Sequence, residues 1–598
     1  MQLAYVTSSD SSSNTNQVNG SGNTPQTNNP PPTTHNWNNW ARLVSEYAYF
    51  NDSYTPSTTT AGPSSTFGSN PNPRYDPNAP ADLSSNNGQV AANGLLRLEE
   101  FGPAYDPQAE AQLVAQTLGQ HKNDPQFLQQ YLGTLGSGRV AQLFSYLASP
   151  GAVQTPFTSI NGQTPQQLQQ DYQNIADALS TLVKSNDFSQ SDMKDFVTQF
   201  ANTNPQVNFF AKDVLSKASS DVNLSFYQAA EQYALQNSGT SGGQSMAAYA
   251  MQALWQTSNP LPILANLSSD DLSKLVSAAM KGEAAYGNPP SIEEFSQTGV
   301  FRAQNGQGDP LDGLTNLMFD TAYAGISDQF GPGPLQPNVA AKLQANLFED
   351  AITTLESDPS VKSFYTQGTS MKDALCVLFQ NGYDSILNLK DYRGEQDGEL
   401  SGKGIEAFKE FFADAVFTPP PSVYALGTVQ MMQSKIADYI NQANSMSPNA
   451  QPSQQQYAYA QSLGEQAQAM AAGLQEALSS ILSGAAQTDA NTKDLLNQII
   501  SFGGIGAGAL GGGIPGAIAT SIISDALNHL VDNINSGPSD IQNVVNNLKS
   551  HGIDVDSYSA GAFYDLSTDI KWSNFRSPFQ GGLSNAFDVI YAPQYSGG

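Results

Sequence analysis

Hydrophobic residues recur at helical spacing along most of the chain, and proline-containing joints divide the pattern into segments. From about Leu95 to Tyr439 the apolar positions follow a period of three to four residues, which predicts helices rather than strands. An Asn or Asp followed by a proline appears, among other places, at the joints Asp124-Pro125, Asn204-Pro205, Asn259-Pro260 and Asp358-Pro359. The Asn or Asp side chain can cap the next helix, and proline is tolerated in its first turn. The pattern predicts an irregular multi-helix array that is mainly α.

Two of these joints are followed by similar apolar positions. The first is followed by Leu135, Val140, Leu143 and Phe144, and the third by Leu267, Leu272, Leu275 and Val276, at the same mutual spacings. This indicates a weak internal repeat of helix, joint, helix, short Gly/Ser turn and helix. Because the joints are unequally spaced, an irregular array is favoured over a regular solenoid.

The most unusual pattern is an uncharged stretch of thirty residues, Leu495 to Ser524. Eight of the fourteen residues from Gly503 to Gly516 are glycine, and a subset recurs every fourth residue. On a helix this spacing makes one stripe of small residues, against which a second helix can pack at backbone distance. Each glycine costs a helix in water about 1 kcal/mol relative to alanine. The stretch therefore favours a glycine zipper in a membrane or against a partner helix, while Pro515 supports the alternative of a flexible loop.

The candidate site is this membrane-contacting or helix-packing stripe. Its residues are Gly504, Gly508, Gly512, Gly516, Ile505, Leu510, Ile514 and Ile518. Nine large apolar residues from Ile499 to Ile523 contribute about −3 to −5 kcal/mol of insertion free energy. Glycine, proline and polar residues oppose insertion, so the balance is marginal. We expect a segment that inserts only when partners or lipid stabilise it.

The composition restricts the possible partners. Lys and Arg number 24 against 53 Asp and Glu, and the net charge of −29 argues against nucleic acid and anionic lipid as electrostatic partners. Charged residues make up 13 % of the chain, about half the usual fraction. The single cysteine, Cys376, excludes an internal disulfide and a multi-thiolate metal site. Its position on an apolar helix face predicts a buried small hydrophobe.

The N-terminus lacks the pattern of a cleavable signal peptide, because polar residues follow Met1–Tyr5 at once. The first 34 residues are nearly all Ser, Thr, Asn, Gln, Gly and Pro, which is too polar a composition to fold alone. A short helix with two tryptophans is predicted at 36–50, and residues 51–89 are predicted as linker. The protein is expected to be cytosolic or exported by a route that does not use an apolar signal.

No pattern in the chain predicts catalysis, so catalytic residues, cofactors and metal ligands are not expected. The sequence Gly239–Gly243 fits G-x-S-x-G, but that motif needs a preceding strand, and a polar segment precedes it here. The interval Cys376–Phe417 has the outline of a helix–loop–helix calcium hand. Placing Gly398 at loop position six puts Arg393 and Gly404 where carboxylates are required. A metal-free remnant that holds two helices at an angle is predicted.

Two parts of the chain after Gln451 differ in composition from the helical body. Between Gln451 and Leu482 an amphipathic helix is predicted. Its apolar stripe is Ala467, Ala471, Leu474, Leu478, Ile481 and Leu482, and its water-facing residues are Glu465, Gln468, Gln475 and Glu476. The last forty residues or so are rich in aromatic residues, Gly and Pro. They predict a compact, partly extended cap rather than another helix.

These patterns divide the chain into five segments. They are a disordered polar secretion and linker region at 1–94, a helical domain with Asn/Asp-Pro joints at 95–298, a helical domain with the degenerate calcium hand at 299–446, an amphipathic helix plus the glycine zipper at 447–536, and a small mixed aromatic cap at 537–598.

The polar start, low charge, near absence of cysteine, helical body and late glycine-rich segment together resemble bacterial type III secreted translocator proteins. The length and the sequence DGELSGKGIEAFKEFF at 397–412 are similar to the NolX/HrpF group in particular. The resemblance implies a secreted, host-membrane-associated protein of virulence or symbiosis. It implies a secretion chaperone, other translocon proteins and an oligomer at the membrane as partners, and entry of Ile499–Ile523 into that membrane. The family pattern has two apolar segments and this chain has one, which argues against a complete, autonomous pore.

A second resemblance leads to a different class. The sequence NDPQFLQQYLGTLGSGRVAQLFSYL at 123–147 is similar to helical scaffold regions of secreted polymorphic toxins, whose variable C-terminus carries the activity. Three hypotheses follow: a membrane-interacting translocator or pore component, a secreted toxin or effector with a C-terminal activity, and a structural or interaction protein such as a virion or surface component.

Overall fold

The computed structural model describes residues 66–101, 107–147, 165–203, 213–286, 313–325, 335–367, 370–388, 404, 407–408, 410–411, 424–446, 453–483 and 570–591. The contacts divide the chain into two units, Met1–Tyr49 and Phe50–Gly598, and every described residue belongs to the second. The described residues form helices and turns without a strand, so the predicted mainly α class is confirmed. The finer division into five segments stays a prediction.

The helices are numbered in chain order over the described residues. The first eight are α1 Gly88–Phe101, α2 Pro107–Gln120, α3 Pro125–Leu135, α4 Ser137–Leu147, α5 Pro165–Lys184, α6 Gln190–Thr203, α7 Ser220–Asn237 and α8 Ser241–Trp255. The next nine are α9 Pro260–Ala265, α10 Ser269–Tyr286, α11 Gly313–Ala322, α12 Pro337–Ser357, α13 Pro359–Gln367, α14 Ser370–Ile386, α15 Ala425–Ser445, α16 Gln454–Ser483 and α17 Ser573–Tyr591. A 3₁₀ turn, Leu215–Lys217, precedes α7.

Neighbouring helices pack in an irregular sequence around one continuous core. Helix α1 packs on α3, α2 on α5 and α4 on α6, while α8 packs on both α7 and α10. Helix α14 packs on α11 and α12, and α16 lies between α15 and α17. The buried hydrophobic residues form a single cluster that extends from Phe67 to Ala586. Burial of this apolar surface is the main force that holds the array together.

Three of the four proline joints begin helices as predicted. Pro125 begins α3, and the Asp124 carboxylate accepts a hydrogen bond from the Phe127 N–H at 3.0 Å. Pro359 begins α13, where the Asp358 carboxylate accepts from the backbone N–H of Ser360 at 3.0 Å. Both side chains satisfy an N–H of the first turn that has no partner within the helix.

The capping prediction is wrong at the third joint. Pro260 begins α9, but the Asn259 side chain makes no capping hydrogen bond. Its backbone, at φ −151° and ψ 68°, departs further from the extended region of a typical capping residue than that of Asp124, at φ −113° and ψ 88°. The joint Asn204-Pro205 lies outside the described residues.

The predicted internal repeat is reflected in burial but not in helix length. Both sets of apolar positions enter the core: Leu135, Val140, Leu143, Phe144, Leu272, Leu275 and Val276 are buried, and Leu267 is partly buried. The helices after the first joint have 11 and 11 residues, whereas those after the third have 6 and 18. Similar apolar spacing therefore serves helices of different length, in keeping with an irregular array.

Residues 66–87, here called the strap, were predicted as linker and instead pack against the body. The Phe67 side chain is 1 % exposed, and its backbone N–H donates to Asp192 Oδ1 at 2.9 Å. The Pro71 carbonyl accepts from the N–H of Gly138 at 2.8 Å. The polar composition of this segment suggested a linker, but one buried aromatic ring and a few backbone hydrogen bonds are enough to fix it.

The predicted partly extended C-terminal cap is wrong for residues 573–591, which form helix α17. The aromatic content suggested extended structure, yet the buried residues follow a helical spacing of three to four. They are Phe575, Phe579, Leu583 and Ala586. Because this face packs on α16, tertiary contact overrides the local preference of the aromatic residues.

Helix α16 confirms the predicted helix between Gln451 and Leu482, but not its single apolar face. Ala467 and Ala471 are buried as predicted, whereas Gln468, predicted to face water, is only 1 % exposed. The reason is that α15 and α17 cover α16 on different sides. The side chains from Leu474 onward lie outside the described residues.

The two helical parts of the calcium-hand outline pack against each other. Helix α14 provides the first, and the described residues of the second include Phe408 and Phe411, both buried. The Phe411 ring centroid lies 5.3 Å from that of Phe379 on α14 and 5.0 Å from that of Phe348 on α12. The loop at 391–403 lies outside the described residues.

Candidate functional site

The predicted stripe falls wholly outside the part of the chain that the structure describes. This applies to Gly504, Gly508, Gly512, Gly516, Ile505, Leu510, Ile514 and Ile518. The predicted tryptophan helix at 36–50 is likewise outside it. The structure does describe α16 and α17, which flank residues 484–569 in the sequence and pack directly on each other.

Glycine gives α16 and α17 close backbone contact, at positions other than those predicted. A methyl group on Gly464 of α16 would collide with the Phe579 carbonyl oxygen. A methyl group on Gly582 of α17 would collide with the Gln461 carbonyl oxygen. Small residues on both helices thus allow an approach that any side chain would prevent. The packing principle predicted for the glycine row therefore operates between its two flanking helices.

The two helices run in the same direction. Just before α17 begins, the Trp572 indole N–H donates to the backbone oxygen of Asn444 at 3.0 Å, in the last turn of α15, the helix that precedes α16 in the chain. Further along, the Asn585 amide donates to the Glu465 carboxylate at 3.2 Å. Because the helices are parallel, α16 ends at Ser483 at one end of the helix pair, whereas α17 begins at Ser573 at the other end. Both ends of the interval that contains the glycine row are joined to the helical body.

The G-x-S-x-G sequence at Gly239–Gly243 forms a helix cap. Helix α7 precedes it, where a nucleophile elbow requires a strand. Thr240 caps α8, since its hydroxyl accepts a hydrogen bond from the Gly243 N–H at 3.1 Å. Ser241 is the first residue of that helix. The glycines and hydroxyls of this sequence are thus explained by the start of α8.

Helix α14 carries ionisable side chains in the core. Lys372, Asp373 and Cys376 are all buried, and burial of Cys376 agrees with its prediction as a small hydrophobe. Burial lowers the pKa of the Lys372 ammonium to about 8, against the opposing effect of Cys376 and Asp373. An amine with such a pKa is a potential nucleophile. With 2 % of Lys372 exposed, however, a substrate has no access to its ammonium group from the solvent.

A buried hydrogen bond joins α13 to α10. The Tyr365 hydroxyl donates a hydrogen bond to Glu283 Oε2. Burial and the adjacent carboxylate raise the Tyr365 pKa well above its ordinary value. A phenol that holds its proton so firmly is a poor acid catalyst at neutral pH. The pair is a structural tie between two helices.

Among the residues that the structure describes, the remaining chemistry-bearing side chains do not converge. The His121 ring stacks on Phe127 with centroids 3.5 Å apart, and His35, His529 and His551 lie outside the described residues. Across the described ranges, no three His, Cys, Asp or Glu side chains are grouped as a metal site would need. Of the helices described, none combines the length and the apolar character needed to cross a bilayer.

Sequence reasoning missed a surface groove of about 360 Å³ between the strap, α4 and α6. Its lining residues are Asn72, Gly138, Gln142, Ser145, Tyr146, Gln199 and Thr203. All are uncharged, and they come from three separate segments of the chain. No local motif marks them, because only the packing of the strap on α4 and of α4 on α6 brings them together.

The chain matches no protein-family model, no curated protein and no solved structure. The contacts described above, together with the sequence patterns, therefore carry the functional proposals.

Proposed function

We propose that this protein is a secreted translocator or pore component that interacts with the membrane of a host or target cell. The observation that carries the proposal is the parallel packing of α16 on α17, which joins both ends of residues 484–569 to the helical body. This interval contains the uncharged stretch Leu495–Ser524. An apolar segment held at both ends by a folded body suits a protein that presents it to a bilayer.

The energetics favour conditional rather than spontaneous insertion. The large apolar residues supply only about −3 to −5 kcal/mol, against the opposing contribution of glycine and polar residues. The net charge of −29 makes anionic lipid an unfavourable partner, so apolar contact drives the association. We propose that other translocon proteins or further copies of the chain supply the missing stabilisation at the membrane, and that a secretion chaperone binds beforehand.

The packing of α17 supports this proposal over a separable C-terminal toxin. Ile570, Phe575 and Phe579 are buried, and Phe579 lies at the close contact with α16. The last described helix therefore contributes to the core of the body. A toxin domain that acts by itself would be expected to have its own core.

Dye release from vesicles of phosphatidylcholine by the purified full-length protein tests the proposal. We expect release by the wild type and at least a tenfold slower release by the double variant Leu510→Lys, Ile514→Lys. Each lysine costs about 2.5 to 3.5 kcal/mol at the centre of a bilayer. The matched control is Val339→Lys, Tyr457→Lys, which adds the same two charges at exposed sites outside the interval. No release by the wild type, or equal release by the Leu510/Ile514 variant, would contradict the proposal.

Three further experiments test the mechanism and separate the alternatives. If Gly508→Leu, Gly512→Leu leaves both membrane association and release intact, close helix packing by the glycine row is not the mechanism. Growth arrest caused by expressing only the residues after Asp525 would favour the toxin hypothesis. Ordered self-assembly in the absence of membranes would favour the structural hypothesis.

A further inference from the structure

The uncharged groove is built by direct contact between the strap and α4. The Pro71 carbonyl accepts hydrogen bonds from the backbone N–H groups of Gly138 at 2.8 Å and Arg139 at 3.3 Å, which holds the strap across the start of α4. The Asn72 side chain lies over Gly138, where a Cβ atom would come within 2.6 Å of Asn72 Oδ1. The missing side chain at Gly138 thus makes the space that the Asn72 amide occupies at the groove wall.

The described residues that line the groove present amide and hydroxyl groups and carry no charge. Amides come from Asn72, Gln142 and Gln199, and hydroxyls from Ser145, Tyr146 and Thr203. Each amide offers two donors and one acceptor oxygen, and each hydroxyl offers one donor and one acceptor. The wall can therefore both donate to and accept from a ligand that has many hydroxyl groups.

Internal hydrogen bonds hold part of this wall in place. The Gln142 amide donates to the Tyr146 hydroxyl at 3.0 Å, and the Ser145 hydroxyl donates to the Gln142 carbonyl at 2.7 Å. The side-chain amides of Asn72 and Gln199 line the groove without hydrogen bonding to another described residue. Tyr146, which is half-buried, also lines the groove, and its hydroxyl accepts the hydrogen bond from Gln142. Two amides and an aromatic ring are thus in position for a ligand.

We infer that this groove binds a neutral saccharide. Sugar hydroxyls pair with amides that both donate and accept, and the apolar face of a sugar ring packs on a tyrosine ring. The volume of about 360 Å³ lies at the lower end of the range for ligand sites, which suits one or two sugar rings. This inference is independent of the membrane proposal.

Two other ligand classes fit the groove less well. An anionic ligand has no cation to pair with among the described lining residues, and the chain carries a net charge of −29. A peptide needs several apolar pockets for its side chains, whereas the described lining residues offer amides, hydroxyls, one glycine and a single aromatic ring. A neutral ligand rich in hydroxyl groups meets neither obstacle.

Titration of the full-length protein tests the inference, with saturation-transfer NMR to detect weak binding. The probes are cellobiose, maltose and diacetylchitobiose as neutral disaccharides, digalacturonate as an acidic one, and an uncharged Ser/Asn peptide. We expect at least one neutral disaccharide to bind with a millimolar or lower Kd. Gln199→Ala and Tyr146→Ala should each weaken that binding at least about tenfold, because the amide and the ring supply separate contacts.

The matched control is Gln170→Ala, which removes an exposed amide on α5 outside the groove. It should leave the affinity unchanged. Circular dichroism checks that each variant is folded, and Gln199→Leu preserves the size of the side chain if the alanine variant is unstable. The inference is overturned if no neutral disaccharide binds at 10 mM, if the groove variants bind as the wild type does, or if the acidic sugar or the peptide binds more tightly.

Discussion

Gly582 of α17 lies against the backbone carbonyl of Gln461 of α16, and no side chain fits between them. Replacing Gly582 by alanine must push the helices apart or distort one of them, which typically costs about 1 to 3 kcal/mol. We expect Gly582→Ala to lower the free energy of unfolding by that amount, as measured by urea denaturation.

The neighbouring glycine provides the control for this prediction. Gly581 is exposed, and a methyl group there would meet nothing within 4 Å. Gly581→Ala should therefore stabilise the protein by up to about 1 kcal/mol, because alanine is the better helix former. If both substitutions had the same effect, the close contact between α16 and α17 would not contribute to stability.

The hydrogen bond from Tyr365 to Glu283 should be measurable by removing the hydroxyl alone. Tyr365→Phe keeps the ring in the core but takes a donor away from a buried carboxylate, which costs about 1 to 3 kcal/mol. Urea denaturation at pH 7 measures the loss. Tyr457→Phe serves as control, since Tyr457 is 44 % exposed, and it should change the free energy of unfolding by less than about 0.5 kcal/mol.

Asp192 fastens the strap to the start of α6. Its Oδ1 accepts from the Phe67 N–H at 2.9 Å, and its Oδ2 accepts from the Ser189 N–H at 2.8 Å. Hydrogen bonds to a charged acceptor contribute about 1.5 to 3 kcal/mol each. We expect Asp192→Ala to lower the free energy of unfolding by about 3 kcal/mol or more. Limited proteolysis should also show faster cleavage within residues 66–87.

Asp195 on the same helix gives the matched control for the strap. Its pKa is raised by partial burial and by the charge of Asp192, so its own charge is unfavourable in the folded state. Asp195→Asn should therefore leave the stability unchanged or slightly increased. If proteolysis cleaved the strap of Asp192→Ala no faster than that of the wild type, the Phe67 contacts alone would hold the strap.

Lys372 should make stability depend on pH in the alkaline range. Its pKa falls from 10.5 to about 8 on folding because the side chain is buried. Between these values the unfolded chain holds a proton that the folded chain has released, so this residue makes stability rise with pH. The free energy of unfolding of Lys372→Met, relative to that of the wild type, should be highest below pH 8. That advantage should decline by on the order of 3 kcal/mol as the pH approaches 10.5.

Urea denaturation at pH 7 and pH 9.5 checks the Lys372 prediction. Lys342→Met is the control, because Lys342 lies exposed on α12 and its removal should give no such pH dependence. A constant difference between wild type and Lys372→Met across this range would show that Lys372 keeps an ordinary pKa in the folded protein.

Local pattern was sufficient where a helix has a clear start. The proline joints at Asp124 and Asp358 fixed the starts of α3 and α13, because capping acts within one turn of the chain. The pattern failed where a helix is covered on two sides. Gln468 was assigned to water and lies in the core, since α15 and α17 pack on different sides of α16.

The candidate sites also differ in whether a local sequence pattern reveals them. The glycine row could be recognised because its signal is a short period within one segment. The groove could not, because Asn72, Gln142 and Gln199 lie far apart in the sequence and each is an ordinary polar residue by itself. Their common surface exists only once the strap crosses α4.

The sequence by itself determined that this protein is a mainly helical array, where several of its helices begin, and that one uncharged stretch stands apart from the rest. These properties depend on spacing and capping within a few residues. Only the tertiary structure decided that the strap and α17 belong to the body, that glycines join α16 to α17, and that neutral polar groups form a groove. Those features depend on contacts between segments distant in sequence, and burial against a neighbouring helix outweighs the local preference of either one.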